Sequence, residues 1–343
     1  MNVFKSLFVV FLFGCFACSK EQSIVNEEKL DAIPGPYRIE GNTITYQHSP
    51  MYYKGVNAMQ SFGLTDADLM DQWQIQVVRE FIGNLREQPI AGSAILGSDN
   101  VWYHPLQHIV DNNRGHNKIT ILCPFGWVDT NGEQTLFTGL HPAAQSFYAA
   151  YLQKMKLIAT HFKDQPDVWI EVWNEPYHWN NDNNYSHTLW LRDMTEMVQN
   201  LREVEGFTSI IVVPGNEQGQ SEDVILTKGN QLLQNNYNIL FDIHAYEKWL
   251  VNTTKDEIFS RIQEINRQDL AIVFGEVGVQ NVSDIMPVDH FLEAVEQTHI
   301  STLAWLWNQN SSDPNALLTD NGEPNASATN NYWGSSYQAF LLE

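Results

Sequence analysis

Eight short, β-branched apolar runs, separated by longer segments of helical period and preceded by one alternating stretch around Gly41-Asn42, predict an α/β chain: a (β/α)8, or TIM, barrel with an N-terminal β-hairpin. The strand runs are nearly continuous in hydrophobicity, as expected of strands covered on both faces. They fall at Tyr53 to Asn57, Ile75 to Phe81, Lys118 to Cys123, Val168 to Val172, Ser209 to Val213, Ile239 to Ile243, Ala271 to Glu276 and Thr302 to Trp307. Helix candidates between them include Tyr103 to Asn112, His141 to Phe162, His187 to Glu205, Ser221 to Asn235, Lys255 to Asn266 and Val288 to Gln297. The stretch Tyr37 to Tyr46 turns at Gly-Asn and reads as a hairpin that caps the barrel floor. An open, doubly wound sheet is the rival architecture, but the first strand-to-helix turn lacks the Gly-rich phosphate loop that accompanies it. No linker composition interrupts Tyr37 to Glu343, so residues 37–343 read as one domain of catalytic size.

The segment before that domain reads as targeting rather than fold. Lys5, an apolar run from Leu7 to Phe13 and the small-residue stretch Gly14-Cys15-Phe16-Ala17-Cys18 have the layout of a secretory signal, and the run is too short to span a bilayer. It resembles a bacterial lipoprotein signal, which implies a signal peptide over residues 1–18 and lipidation of Cys18, with Cys15 as the alternative site. An ordinary cleaved signal is the plainer reading. Residues 19–36, polar and carrying Pro34-Gly35-Pro36, read as a tether. With processing at Cys18, the chain keeps that cysteine and Cys123, so no intramolecular disulfide framework is expected.

Composition narrows the partners. With 43% hydrophobic and 17% charged residues the chain is globular, not disordered. A formal net charge of −22 gives no basic surface for phosphates, so nucleic acid and anionic membrane surfaces are excluded as partners, and an acidic polysaccharide is repelled. A neutral ligand fits. The 11 tryptophans suit a protein that stacks on sugar rings, although most are expected in the core.

In a barrel of this kind the site lies where strands end, so the polar residues that close each apolar run carry the argument. The second strand ends at Arg79-Glu80, the fourth runs into Trp173-Asn174-Glu175-Pro176, the sixth into His244-Ala245-Tyr246, and the seventh into Gly275-Glu276-Val277-Gly278. The eighth contains Trp305-Leu306-Trp307-Asn308. Two glutamates thus end strands three units apart and face each other across the mouth. Glycoside hydrolysis needs such a pair: one protonated to assist the leaving oxygen, one ionised to attack the sugar or activate water.

Over nearly all of Tyr37 to Asn310 the sequence resembles glycoside hydrolase family five, the cellulase and mannanase family of retaining barrel glycosidases. The resemblance rests on Trp173-Asn174-Glu175-Pro176, His244-Ala245-Tyr246 and Phe274-Gly275-Glu276-Val277-Gly278, with support from Lys54-Gly55-Val56-Asn57 and Val78-Arg79-Glu80. It implies that Glu175 is the general acid/base and Glu276 the nucleophile. It further implies that Asn174 contacts the sugar 2-hydroxyl, that Arg79 and Tyr246 hold the nucleophile, that His244 sits near the acid, and that Trp305 or Trp307 floors the subsite at the cleaved bond. Arg79 beside Glu276 is then expected to lower its pKa, while Glu175, away from that cation, keeps its proton longer.

One departure stands out. Members of that family commonly carry a histidine just after strand three, where this chain has Leu122-Cys123-Pro124-Phe125-Gly126-Trp127, which points to an aromatic replacement in the glycone subsites. Other residues have plain readings. His104 and His108 have a zinc-compatible spacing but lack the metalloprotease glutamate, so a solvated or capping role is expected. Cys123 reads as a buried thiol, the run Trp179 to Asn184 as a subsite loop and not a calcium loop, and Trp127, Trp179 and Trp249 as sugar platforms or packing residues alike.

The expected function is a retaining O-glycosyl hydrolase, endo-acting on a neutral β-1,4-linked polysaccharide such as mannan or glucan. The alternative is a lipid-anchored protein that grips glycan on the same fold without cleaving it. Neither reading calls for a metal or cofactor. A monomer, exported and lipid-anchored in a bacterial envelope, or else secreted, is expected.

Overall fold

The computed structural model describes residues 35–282, 284–326 and 332–343; the signal segment, Cys18 and nearly all of the tether lie outside the described residues. Eight parallel strands close into a barrel: β1 (Lys54–Ala58), β2 (Val77–Ile82), β3 (Ile119–Pro124), β4 (Val168–Glu171), β5 (Ile211–Pro214), β6 (Ile239–Ala245), β7 (Ile272–Val277) and β8 (Ser301–Ala304). Each pairs with its sequence neighbours, and β8 closes on β1 through Thr302 opposite Lys54 and Ala304 opposite Val56. All eight expected runs are strands. A helix follows each: α1 (Ala67–Gln72), α2 (Leu106–Gly115), α3 (Tyr148–Phe162), α4 (His187–Arg202), α5 (Asp223–Leu233), α6 (Lys255–Asn266), α7 (Asp289–Thr298) and α8 (Trp333–Leu342). Among the described residues no helix is long and apolar enough to cross a membrane.

Local chemistry sets several boundaries. Helix α6 begins where expected because Thr254 and Glu257 form a reciprocal capping box, which satisfies two backbone N–H groups that a helix start leaves free. Helix α3 starts at Tyr148, not at His141. The preceding residues form a hairpin of Gly126–Val128 with Gln134–Leu136, a strand Thr138–Leu140, and a 3-10 turn at Pro142–Ala144. Strand Thr138–Leu140 pairs in parallel with Glu175–Pro176, so this excursion braces the residue expected to act as the acid. Strand β8 ends at Ala304, three residues short of the expected Trp307, and Trp305 N instead donates to Val277 O on β7 at 2.8 Å.

The expected hairpin closes the barrel floor and is the larger part of a three-stranded antiparallel sheet, Tyr37–Glu40, Thr43–Tyr46 and Ser49–Met51. Its Ile39 and Ile44 pack with Val77, Ile121, Trp169, Val212, Leu240, Val273 and Leu303, the lower inward layers of the barrel. Trp169 of β4 centres this plug, with Tyr37 and Tyr53 edge-on to its ring at 5.9 and 6.0 Å. A second, larger cluster lies between the barrel wall and the helix ring. With the lower barrel filled by hydrocarbon, charged side chains have room only at the upper mouth.

Candidate active site

Alternate residues along each strand face the barrel axis, and at the C-terminal ends that rule gathers Asn57, Arg79, Cys123, Glu171, Asp242, His244 and Glu276 into one buried polar layer. Arg79 is its hub, with 2% of its side chain exposed. Its Nε and Nη2 donate to the two oxygens of Glu171 at 2.7 and 2.9 Å. Its Nη1 donates to Asn57 Oδ1 at 2.8 Å and to Glu276 Oε1 at 2.7 Å, and Nη2 also reaches Asn174 Oδ1 at 2.9 Å. A guanidinium with all three nitrogens so occupied is fixed in plane and orientation.

That grip decides which way Asn174 points. Because its oxygen accepts from Arg79, its amide nitrogen must face away, and this buried Nδ2 has no hydrogen-bond partner within the chain. A buried amide donor with no partner in the chain has its hydrogen-bonding capacity unspent beside Glu175. Tyr246 OH donates to Glu276 Oε2 at 2.8 Å, so both oxygens of Glu276 are held. His244 lies beneath the other glutamate. Its Nδ1 is 3.0 Å from Glu175 Oε1 and its Nε2 3.3 Å from Asp242 Oδ2. Glu175, His244 and Glu276 each present an atom within 4.8 Å of the others. The two glutamates are therefore facing carboxylates with little between them.

Glycine permits this layer. A Cβ at Gly275 would lie 2.2 Å from Asp242 Oδ2, and the Gly275 N–H donates to Asp242 Oδ1 at 2.7 Å. Gly219, at φ +76°, lays its backbone against the His244 imidazole, where a Cβ would come within 2.9 Å of the ring, and its carbonyl accepts from His244 N at 2.9 Å.

The electrostatics correct one expectation. Burial raises the pKa of Glu276 and outweighs the opposing pull of His244 and Arg79, with the charge of Glu175 adding to the rise. Arg79 does pull it down, but burial outweighs that pull. Burial likewise raises Glu171 to about 7, against the pull of Arg79. Burial alone would lower His244, but the charges of Glu276 and Asp242 carry it well above the usual histidine range, so it stands as an imidazolium that donates to both Glu175 and Asp242. Burial pushes the Cys123 thiol up, which keeps it protonated and unreactive.

Of the residues singled out from sequence, Arg79, Asn174, Glu175, His244, Tyr246 and Glu276 meet at this mouth. The two strand-eight tryptophans separate. Trp305 is half-buried beside Phe125, at 5.9 Å and 15° between rings, whereas Trp307 is buried in the core and packs edge-on to Trp73 at 5.2 Å. Residues two apart share a face of a continuing strand, but β8 ends at Ala304, so the alternation does not carry on to both tryptophans, and Trp307 turns into the core and does not floor the cleft. Trp127 is buried on Phe147 and Trp249 is wholly buried, while Trp179 is 55% exposed. Glu171, Asp242 and Asn57 were not assigned roles from sequence. The signal was present: an acid inside a buried apolar strand, as in Val168-Trp-Ile-Glu171 or Ile239-Leu-Phe-Asp242, requires a buried partner. A metal at Glu175, His244 and Glu276 would need an imidazole whose two nitrogens already face Glu175 and Asp242, would lie beside the cation Arg79, and would compete with Tyr246 for an oxygen already bonded, so the donor set does not suit one.

The family model described as Cellulase (glycosyl hydrolase family 5) matches residues 47–311. A mannan endo-1,4-beta-mannosidase of Cellvibrio japonicus (strain Ueda107) is 27% identical over 153 residues, 44% of this chain and 34% of that protein. A second, from Salipaludibacillus agaradhaerens, is 28% identical over 148 residues, 43% of this chain and 46% of that protein. The chain thus covers less than half the length of either relative. Among solved structures, the catalytic domain of a mannanase from Streptomyces sp. SirexAA-E superposes with a TM-score of 0.65 at 17% identity, covering 98% of this chain and 94% of that one. The catalytic domain of a Thermobifida fusca endoglucanase gives 0.63 at 14% identity, covering 92% and 99%. Both likenesses are of fold.

Proposed function

Since the chain belongs to glycosyl hydrolase family 5, we propose that it is a retaining, endo-acting β-glycosidase whose substrate is a neutral β-1,4-linked polysaccharide, with mannan the first polymer to test and glucan the second. The observation that carries this reading is the pair Glu175 and Glu276, with carboxylate oxygens within 4.8 Å of each other across one cleft. Inverting enzymes hold their carboxyl groups roughly 6.5 to 9.5 Å apart to seat a water; retaining ones hold them about 5 to 5.5 Å apart. The relatives named mannan endo-1,4-beta-mannosidase support mannan.

In this reading Glu276 attacks the anomeric carbon while Glu175 gives its proton to the departing glycosidic oxygen, which leaves a covalent glycosyl-enzyme. The imidazolium of His244, 3.0 Å from Glu175, stabilises the carboxylate formed. Water then enters on the face that the leaving group vacated, gives a proton to Glu175, and displaces Glu276 with the β configuration kept. Arg79 and Tyr246 hold the nucleophile in line throughout, and the role of Asn174 in this reading is to bind the sugar 2-hydroxyl, which its unpartnered amide supports. The test is the anomer first released from mannan oligosaccharides, read by proton NMR before mutarotation. A β product is expected. An α product overturns retention, and no turnover on mannan, glucomannan, cellulose derivatives, xylan or mixed-linkage glucan overturns the hydrolase reading in favour of glycan binding.

We further propose that the protein is exported and lipid-anchored through Cys18 as a monomer. Labelling with a tagged fatty acid is expected in the wild type and not in Cys18→Ala; label in both moves the site to Cys15, and label in neither means simple secretion.

A further inference from the structure

The buried stripe of α4 runs through Trp190, Asp193, Met194, Met197 and Leu201, at the spacing of one helix face, and one of its members is an acid. A carboxylate wholly buried among apolar side chains requires partners. Asp193 Oδ1 accepts from Nε and Nη2 of Arg192 at 3.0 and 2.7 Å, and its Oδ2 accepts from the Tyr177 hydroxyl at 3.1 Å. Tyr177 is itself wholly buried and stands two residues beyond Glu175 in the chain. Its φ is +63°, a left-handed conformation that a bulky residue keeps only where its surroundings hold it. Nearly one turn before Asp193, Trp190 Nε1 donates to the carbonyl of Pro214, at the end of β5, at 2.9 Å, so α4 presents its acid from a fixed place on the barrel wall.

Main-chain bonds join the backbone that carries Glu175 to its neighbouring loops: Glu175 N donates to Phe137 O at 2.9 Å, Tyr177 N to Leu140 O at 2.8 Å, and Gln218 N reaches the carbonyls of Pro176 and Tyr177 at 3.2 Å. The Tyr177 hydroxyl joins the same backbone to the helix ring. Glu276 lies inside β7 and is held by Arg79 and Tyr246 instead. We infer that Tyr177 and Asp193 are positioning residues for proton transfer by Glu175: the buried hydroxyl–carboxylate bond sets where the acid stands, and acts on the reaction only through it. This rests on the glycosidase reading above. A proton crosses only within hydrogen-bond reach, so a small displacement of Glu175 slows the step that needs its proton and leaves attack by Glu276 as it was. The effect then grows with the basicity of the leaving group, since a phenol of low pKa departs unprotonated.

The measurement is kcat/KM of the full chain on aryl β-glycosides of one disaccharide, mannobiose or, if mannan is not cleaved, cellobiose, with leaving groups from dinitrophenol to phenol. This constant covers events up to formation of the glycosyl-enzyme, the step in which Glu175 gives its proton. Tyr177→Phe, which removes one oxygen and keeps the ring, and Asp193→Leu, which keeps the volume and removes the acceptor, are expected to lie within about twofold of wild type on the dinitrophenyl substrate and to fall by about tenfold or more on the phenyl one. In a Glu175→Ala background, Tyr177→Phe is expected to change either rate by less than about twofold, because residues that act through one group are not additive. A fall by the same factor on both leaving groups would make the bond a matter of folding and overturn the inference. So would wild-type rates in Tyr177→Phe, or a further leaving-group-dependent loss once Glu175 is gone. Absence of wild-type turnover on every substrate would sink the glycosidase reading, and the inference with it.

Discussion

Arg79 and Glu171 form a bidentate ion pair, 2.7 and 2.9 Å, with neither side chain more than 2% exposed. The pair ties strand β2 to β4 across the barrel and fixes the guanidinium that also donates to Glu276. The nucleophile is positioned by Arg79, while burial outweighs the pull of that cation on its pKa.

Glu171→Gln keeps an acceptor for Arg79 in a side chain that cannot ionise, so the charge that Glu171 takes on as pH rises through about 7 is absent from the variant. Stability changes with it. Glu171 binds its proton more tightly folded than unfolded, so its contribution is complete below pH 4.5 and is lost as pH rises through about 7. Denaturation followed by urea between these values should show a flatter pH dependence in the variant; a pH dependence equal to that of the wild type would refute the raised pKa of Glu171.

Glu276→Ala is expected to abolish turnover on every substrate, and added azide to restore it with an α product, since the small anion occupies the vacated nucleophile position. Glu175→Ala is expected to behave differently. Loss of the acid slows polysaccharide cleavage by about a hundredfold or more and spares the first step on activated aryl glycosides, which need no proton to leave. Equal losses on both substrate types would remove Glu175 from the acid role.

Gly275→Ala places a methyl where Asp242 Oδ2 sits 2.2 Å away. Asp242 must move, and His244 loses the carboxylate on its Nε2. The variant is expected to lose about 1–3 kcal/mol of stability through overpacking, together with a fall in kcat larger than any change in KM. Full activity at unchanged stability would mean that the Asp242 contact is dispensable.

Trp169→Ala empties the centre of the floor plug, at the end of the barrel opposite the site. A cost of about 3–5 kcal/mol is expected from urea unfolding, with kcat of the folded enzyme nearly unchanged. A large kcat loss in the folded variant would show the two ends to be coupled.

The strands were legible because both faces of each are buried, which leaves an apolar run with polar residues gathered at one end. Glu175 and Glu276 could be read for the same reason: each stands where such a run stops. Glu171 and Asp242 stand inside the runs, where period alone does not distinguish a partnered acid from a strand end. Trp305 and Trp307 could not be separated because the answer turns on where β8 stops, and strand ends are the least determined feature of a pattern. Helix α8 left little trace. Its sequence Trp-Gly-Ser-Ser-Tyr-Gln-Ala-Phe-Leu-Leu has apolar residues around much of the helix, so no amphipathic stripe marks it.

Helix α8 has a temporal consequence. Its Tyr337 hydroxyl bonds the carbonyls of Gly55 on β1 and Thr302 on β8 at 2.6 and 2.9 Å, and its Trp333 indole bonds the carbonyl of Trp305 at 2.9 Å. The seam where the first strand meets the last, and the aromatic platform beside it, are therefore latched by a segment that leaves the ribosome after all eight strands. A nascent chain that has already emerged through β8 holds every charged residue of the cleft yet lacks the bolt that sets Trp305. Maturation of the platform therefore waits on α8, and comes later than the emergence of the strands that carry the charges of the cleft.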